Sequence, residues 1–157
     1  MIMEVMIILG SKSDMAVAEK AKGILDEMGV IYDVRIASAH RTPSRVKELV
    51  EGSGASVFIA IAGLSAALPG VVASHTLKPV IGVPVSGKLN MDSVLSVLQM
   101  PPGIPVAAVG LDNGRNAALL ACAILALSNK ELEGRLSEYR KRMQDKVVND
   151  SDSMSAE

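Results

Sequence analysis

Three blocks of this sequence hold side chains that could do chemistry. Gly10-Ser11-Lys12-Ser13-Asp14 sets a glycine, two hydroxyls, an ammonium and a carboxylate side by side. A glycine turn entering a helix exposes backbone N–H groups at the positive end of the helix dipole, and the serines and lysine beside it would suit a phosphate. An ordinary strand-to-helix turn with a serine cap has the same composition. Ser38-Ala39-His40-Arg41-Thr42-Pro43 brings a hydroxyl, an imidazole and a guanidinium together. Arg41 can grip a phosphate through two N–H groups, and His40 carries the side-chain type best suited to moving a proton near neutral pH. A surface loop whose histidine caps a neighbour is the alternative, but one of only two histidines standing beside an arginine favours function. The third block, Ala62-Gly63-Leu64-Ser65-Ala66-Ala67-Leu68-Pro69-Gly70, is nearly all small and uncharged. Its small residues would let a ligand approach the backbone closely, and Ser65 is its only side-chain hydroxyl, although helix packing selects the same residue types.

The elements that must position these blocks follow from periodicity. Met3–Leu9 reads as a buried strand ended by Gly10; Ser11 or Ser13 then caps a helix to about Met28, with Ala18, Ala21 and Leu25 on its apolar face. Val30–Ala37 is a second strand, and Thr42-Pro43 opens a helix carrying Val46, Leu49 and Val50. Val57–Ala62, Pro79–Val83 and Pro105–Gly110 are further strands, with a helix over Ala66–Thr76 and an apolar helix over Asn116–Leu127. Ser128 and Glu131 have capping-box spacing at the head of a last helix with Leu132, Leu136, Tyr139, Met143 and Val147 on one face. Strict alternation of apolar strands with helices predicts a three-layer, doubly wound α/β fold of flavodoxin type with a C-terminal helix. In such sheets ligands bind beyond the carboxyl ends of the strands, just after Leu9, Ala37, Ala62 and Val83 here. The uncharged Gly82-Val83-Pro84-Val85-Ser86 stands at the same edge, and Gln99–Pro105 is a proline-rich loop before the last strand, too rigid and apolar for a mere linker.

Composition narrows the function. The chain has 157 residues, enough for one domain and one core, taken as residues 1–148 with a disordered tail over 149–157. Sixteen basic against 17 acidic residues give no electrostatic footprint for nucleic acid, and two tyrosines and one phenylalanine give no stacking platform. Neither a P-loop nor the pattern G-x-G-x-x-G is present, which argues against a nucleoside triphosphate or a dinucleotide. The single cysteine, Cys122, lies in an apolar helix face and reads as core; with two histidines the chain offers little for a metal. His75 falls within a helix and reads as a surface or interface residue. The short apolar run Val5–Leu9 lacks a basic flank, so the expected compartment is the cytoplasm.

Charge is unevenly spread. Residues 52–129 carry only Lys78, Lys88, Asp92, Asp112 and Arg115 of the 33 charged side chains. The uncharged run Gly52–Leu77 is long enough for a bilayer span, where ~20 residues suffice. Gly63, Pro69 and Gly70 interrupt it and its first part is strand-like, which excludes a membrane segment. The expectation instead is that other subunits cover part of this stretch.

Taken together, the blocks resemble the PurE family of purine synthesis, in order and spacing, from Met3 to about Arg142. Besides those above, Gln99-Met100-Pro101, Gly103-Ile104-Pro105-Val106 and Asn116-Ala117-Ala118-Leu119-Leu120-Ala121 carry the resemblance. It implies a homo-octamer of flavodoxin-like subunits that forms 4-carboxy-5-aminoimidazole ribonucleotide without metal or organic cofactor, either by moving a carboxylate from N5-carboxyaminoimidazole ribonucleotide or by adding CO2 to aminoimidazole ribonucleotide. By matching position, Ser11, Ser13, Ser38 and Arg41 would hold the phosphate, Asp14 the ribose hydroxyls, and His40 would carry the proton. Gly63, Ser65, Ala66 and Leu68 would line the rest of the substrate site.

One block departs from the pattern. The branch that moves a carboxylate from N5-carboxyaminoimidazole ribonucleotide usually reads Ala-Gly-x-Ala-Ala-His-Leu-Pro-Gly, and here Ser65 replaces an alanine and Ala67 the histidine. The branch that adds CO2 directly to aminoimidazole ribonucleotide also lacks that histidine and carries the serine. Arg41, Pro43 and the Gln99-Met100-Pro101 loop match the first branch, which the sequence therefore favours. Direct carboxylation and a non-catalytic ribonucleotide-binding homologue are the alternatives. A carboxylase of nickel-cofactor synthesis would carry an additional N-terminal region.

Overall fold

The computed structural model describes residues 3–154. Its core is a five-stranded parallel sheet in the order β2-β1-β3-β4-β5. The strands are β1 (Val5–Leu9), β2 (Tyr32–Ile36), β3 (Val57–Ala62), β4 (Val80–Pro84) and β5 (Ala107–Ala108). In β1, β3 and β4 every residue is buried, because helices cover both faces and alternation with polar residues has no place there. Side chains pointing to one face, Val5, Ile7, Leu9, Ile59 and Ile61 among them, pack on Ala18, Ala21 and Leu25 of α1 (Met15–Glu27) and on Ala117, Ala121 and Cys122 of α5 (Gly114–Ala126). Those pointing to the other face, including Met6, Ile8, Phe58 and Ala60, meet α2 (Pro43–Glu51), α3 (Leu68–Ser74) and α4 (Asn90–Leu98) through Val46, Val72 and Val97. This is the three-layer, flavodoxin-like arrangement expected from the alternation.

Two glycines set the spacing between layers. A Cβ at Gly82 in β4 would collide with Val97 of α4 and crowd Pro69 of α3, and one at Gly114 would strike the Val17 carbonyl of α1. Their bare backbones let α4 sit on the sheet and α5 lie against α1.

Gly52–Leu77 folds into β3 and α3, and among the described residues no helix is long and apolar enough to cross a membrane. Several boundaries differ from the sequence reading. Helix α4 carries no sequence start signal: its N-cap is Leu89, which makes no side-chain cap. β5 shortens to two residues at the sheet edge. The expected capping box at Ser128 is replaced by Asn129, whose Oδ1 accepts the Leu132 N–H at 3.1 Å, while the Ser128 hydroxyl turns back to the Leu125 carbonyl. Helix α6 (Lys130–Met154) then runs past Asn149, so the tail expected to be disordered is helical to Met154. An i,i+4 pair between Lys146 and Asp150 (2.6 Å) and the Ser153 hydroxyl on the Asp150 carbonyl (2.7 Å) support those turns. Residues 155–157 of that tail lie outside the described residues.

Candidate active site

The strand order reverses between β1 and β3, and the carboxyl ends of β1 to β4 open there into a cleft of about 520 Å³. Its first wall is the turn after β1. Ser11 is extended (φ −156°) and caps a single 3₁₀ turn over Lys12–Asp14. Its Oγ accepts the Ser13 N–H at 3.4 Å, and Asp14 Oδ2 accepts the Ser11 N–H at 3.0 Å, closing a capping box. The Ser13 hydroxyl donates to Asp14 Oδ1 at 3.4 Å. The turn has thus engaged three of its own N–H groups, those of Ser11, Ser13 and Asp14, the last on the Ser11 carbonyl at 3.1 Å; what it offers an anion is hydroxyls, Lys12 and the field of the helix end. Asp14 is buried at the bottom of the turn. That burial pushes its carboxyl above the ordinary value, while the Ser11 N–H, the Ser13 hydroxyl and the Arg41 charge draw it back.

The second wall follows β2. Thr42 Oγ1 accepts the Ser38 N–H at 2.9 Å and donates to the Ser38 carbonyl at 3.3 Å, making a tight loop. Ser38 Oγ accepts from the Arg41 backbone (3.2 Å) and from Arg41 Nε (3.3 Å). Arg41 Nη2 then reaches across to the Gly10 carbonyl at 3.0 Å, joining the β1 and β2 turns. Nη1 has no protein acceptor among the described residues and is the donor left for a ligand. His40 is exposed on the cleft and makes no hydrogen bond to a described residue, so both its ring nitrogens are available.

The remaining wall is uncharged: Ala62, Gly63, Leu64, Ser65 and Leu68 from the turn after β3, and Val85 and Ser86 from the turn after β4. Of the ten residues singled out from sequence, the structure brings nine into one cleft, from Ser11 to Leu68. Ala66 is the exception: it is fully buried, packed in the core beneath the turn. Ala67 caps α3 and stands outside the cleft lining. Among the described residues no three His, Cys, Asp or Glu side chains gather as metal ligands would; the polar groups of the cleft suit phosphate and sugar. Sequence reasoning did not single out Asp92 and Asp112, although both touch the rim: Asp92 accepts the Ser65 N–H and Asp112 that of Ser86. Their isolation in a charge-poor stretch was the available signal.

Fold and cleft together define a flavodoxin-like protein with a cleft at the switch in strand order that brings together hydroxyls, an arginine and a histidine. The chain belongs to the AIR carboxylase family, also called PurE, whose pattern it matches over residues 4–146. It is 61% identical over 142 residues to the N5-carboxyaminoimidazole ribonucleotide mutase of Methanocaldococcus jannaschii, covering 90% of each chain. It is 45% identical to the mutase of the same name from Escherichia coli, covering 97% of this chain and 94% of that one. Among solved structures it resembles the Treponema denticola PurE2-S38D crystal structure with a TM-score of 0.88 at 32% identity, over 98% of both chains.

Proposed function

We propose that this protein is an N5-carboxyaminoimidazole ribonucleotide mutase of purine biosynthesis. The observation that carries the reading is the placement of an unengaged imidazole, His40, in one cleft with Ser11, Ser13, Ser38 and the Arg41 guanidinium, next to an uncharged wall. The hydroxyls and Arg41 hold the 5′-phosphate, and the Asp14 carboxylate takes the ribose hydroxyls. The heterocycle then lies against Gly63, Ser65 and Leu68. The N5–carboxylate bond breaks, N5 takes up a proton and CO2 is released into the cleft. The electron-rich C4 attacks it, forming the C–C bond, and removal of the C4 proton restores the aromatic ring. His40 is the one side chain of the cleft suited to deliver the first proton and accept the second, so the reaction is proton-neutral. Confinement next to an apolar wall favours recapture of CO2 over its escape.

Ser65 and Ala67 favour a second reading, direct carboxylation of aminoimidazole ribonucleotide. Incubation with each substrate, with and without bicarbonate, separates the two: the mutase transfers carboxylate from N5 faster than it uses bicarbonate, and a bicarbonate-dependent rate equal to the transfer rate would reverse the assignment. His40→Asn keeps the ring's approximate shape but cannot carry the proton. It should bind nucleotide as wild type does yet lose roughly 10²–10⁴-fold in transfer; retention of most activity removes His40 from the mechanism.

The working unit in this reading is a homo-oligomer, an octamer by family resemblance. Leu77, Leu89, Met91, Leu98 and Leu127 all stand exposed on the single chain, in the stretch where charges are scarce. In this reading the reaction runs in the cytoplasm, where a phosphate-bearing substrate that cannot cross the membrane is kept.

A further inference from the structure

Between Gly52 and Asn129 the chain has two acidic residues, Asp92 and Asp112, and each is engaged with a backbone N–H on the cleft rim. Asp92 Oδ2 accepts the Ser65 N–H at 2.8 Å, and Asp112 Oδ1 accepts the Ser86 N–H at 2.8 Å. Both serines line the cleft, on its uncharged side. The same two pairs contain the only non-glycine residues with positive φ among those described, Ser65 at 49° and Asp112 at 55°. Such left-handed conformations are disfavoured for residues with a Cβ and persist where surrounding contacts hold them. Those contacts are visible here. Asp92 sits in the first turn of α4, and Asn90 Oδ1 in the same turn accepts the Gly87 N–H at 2.9 Å. Asp112 is itself locked, its N–H on the Pro84 carbonyl at 2.9 Å and its carbonyl on Lys20 Nζ at 3.2 Å. The turns after β3 and β4 are therefore fastened from outside, one to α4 and one to the loop before α5.

We propose that Asp92 and Asp112 are positioning residues for carboxylate transfer: without touching substrate, they fix the Ser65 and Ser86 turns as the wall against which the reacting end of the nucleotide is held. A carboxylate suits this task because its hydrogen bonds to N–H are short and strong, and it carries no donor that would compete for the turn's carbonyls. The proposal rests on the mutase reading of the cleft. Because the phosphate is held on the opposite wall, by Ser38, Arg41 and the turn after β1, the two acids should govern turnover more than grip.

The test compares Asp92→Ala and Asp112→Ala with Asp92→Asn and Asp112→Asn, which keep an acceptor of the same shape. The alanine variants should lose about 10- to 100-fold in kcat while affinity for aminoimidazole ribonucleotide changes less than about threefold, and the asparagine variants should recover most of the rate. In the wild type, the Ser65 and Ser86 amides should exchange with solvent more slowly than those of their exposed neighbours. Three results would each overturn the proposal: alanine variants with kcat near wild type, asparagine variants no better than alanine, or affinity falling in step with kcat. Unprotected Ser65 and Ser86 amides in the wild type would do the same, and this measurement decides the matter should the alanine variants not fold. A wild type that transfers no carboxylate defeats the mutase reading instead, and the exchange measurement still judges the two acids.

Discussion

Arg41 does two jobs from one side chain. Through Nε and Nη2 it ties the Ser38 hydroxyl to the Gly10 carbonyl, and through Nη1 it can meet an anion already oriented by those ties. Arg41→Ala should therefore weaken binding of the ribonucleotide by roughly 1.5–3 kcal/mol, the scale of a charge-assisted contact. Its melting temperature should stay close to wild type because the side chain is exposed; calorimetric titration with aminoimidazole ribonucleotide checks the first part, and unchanged affinity contradicts it. Asp14 behaves differently because it is buried. Its carboxyl is held above the ordinary value of 3.8, chiefly by burial. It thus binds its proton more tightly folded than unfolded, so its ionisation costs stability at neutral pH, and that cost disappears as pH falls through the folded pKa. Asp14→Asn should melt higher than wild type at pH 7, with the margin closing on acidification, while binding ribose less well; a margin that grows toward acid would contradict this. Polar residues such as Ser38, His40 and Arg41 were legible in the sequence because their types have few other reasons to cluster at a strand end. Ala66 was not separable from its neighbours, since small residues serve equally to admit a ligand and to fill a core.

At the scale of elements, the cleft exists because four consecutive strand ends meet where the order of the sheet reverses. Strands β1 and β3 and helices α1, α2 and α5 could be read from sequence, as periodicity and buried faces coincide there. Helix α4 could not: its N-cap position is Leu89, which makes no side-chain cap, so no residue type marks where the helix starts. The start of α6 was misread by one residue because Ser128 and Asn129 are both competent caps, and the Ser128 hydroxyl is taken up locally by the Leu125 carbonyl at the end of α5. The contact of α5 with α1 depends on a missing Cβ at Gly114. Gly114→Ala must push the two helices apart; overpacking of this kind costs about 1–3 kcal/mol. Denaturant unfolding should show it as a lower midpoint with the slope unchanged, and a midpoint equal to wild type would mean that the helices part freely.

The whole molecule, taken as one chain, is left with apolar surface that its own elements do not cover. Leu77, Leu89, Met91 and Leu98 are exposed, as are Met143, Val147 and Met154 along α6, and a hollow of about 840 Å³ between α5 and α6 is walled by Leu119, Leu120, Leu136 and Tyr139. Surface of this extent on a small domain calls for partners. Analytical sedimentation at micromolar concentration should find an assembly near eight subunits; a stable monomer would remove the oligomeric reading. The same core that the assembly would enclose holds the lone thiol of the chain. Cys122 lies between α5 and the sheet with no exposed surface, and burial lifts its pKa to about 11. A thiol reagent finds it neither accessible nor ionised in the native state. Each covalent labelling event therefore marks a moment at which the α1–α5 layer has come off the sheet, and nature has placed in this protein a single-site clock for its own breathing.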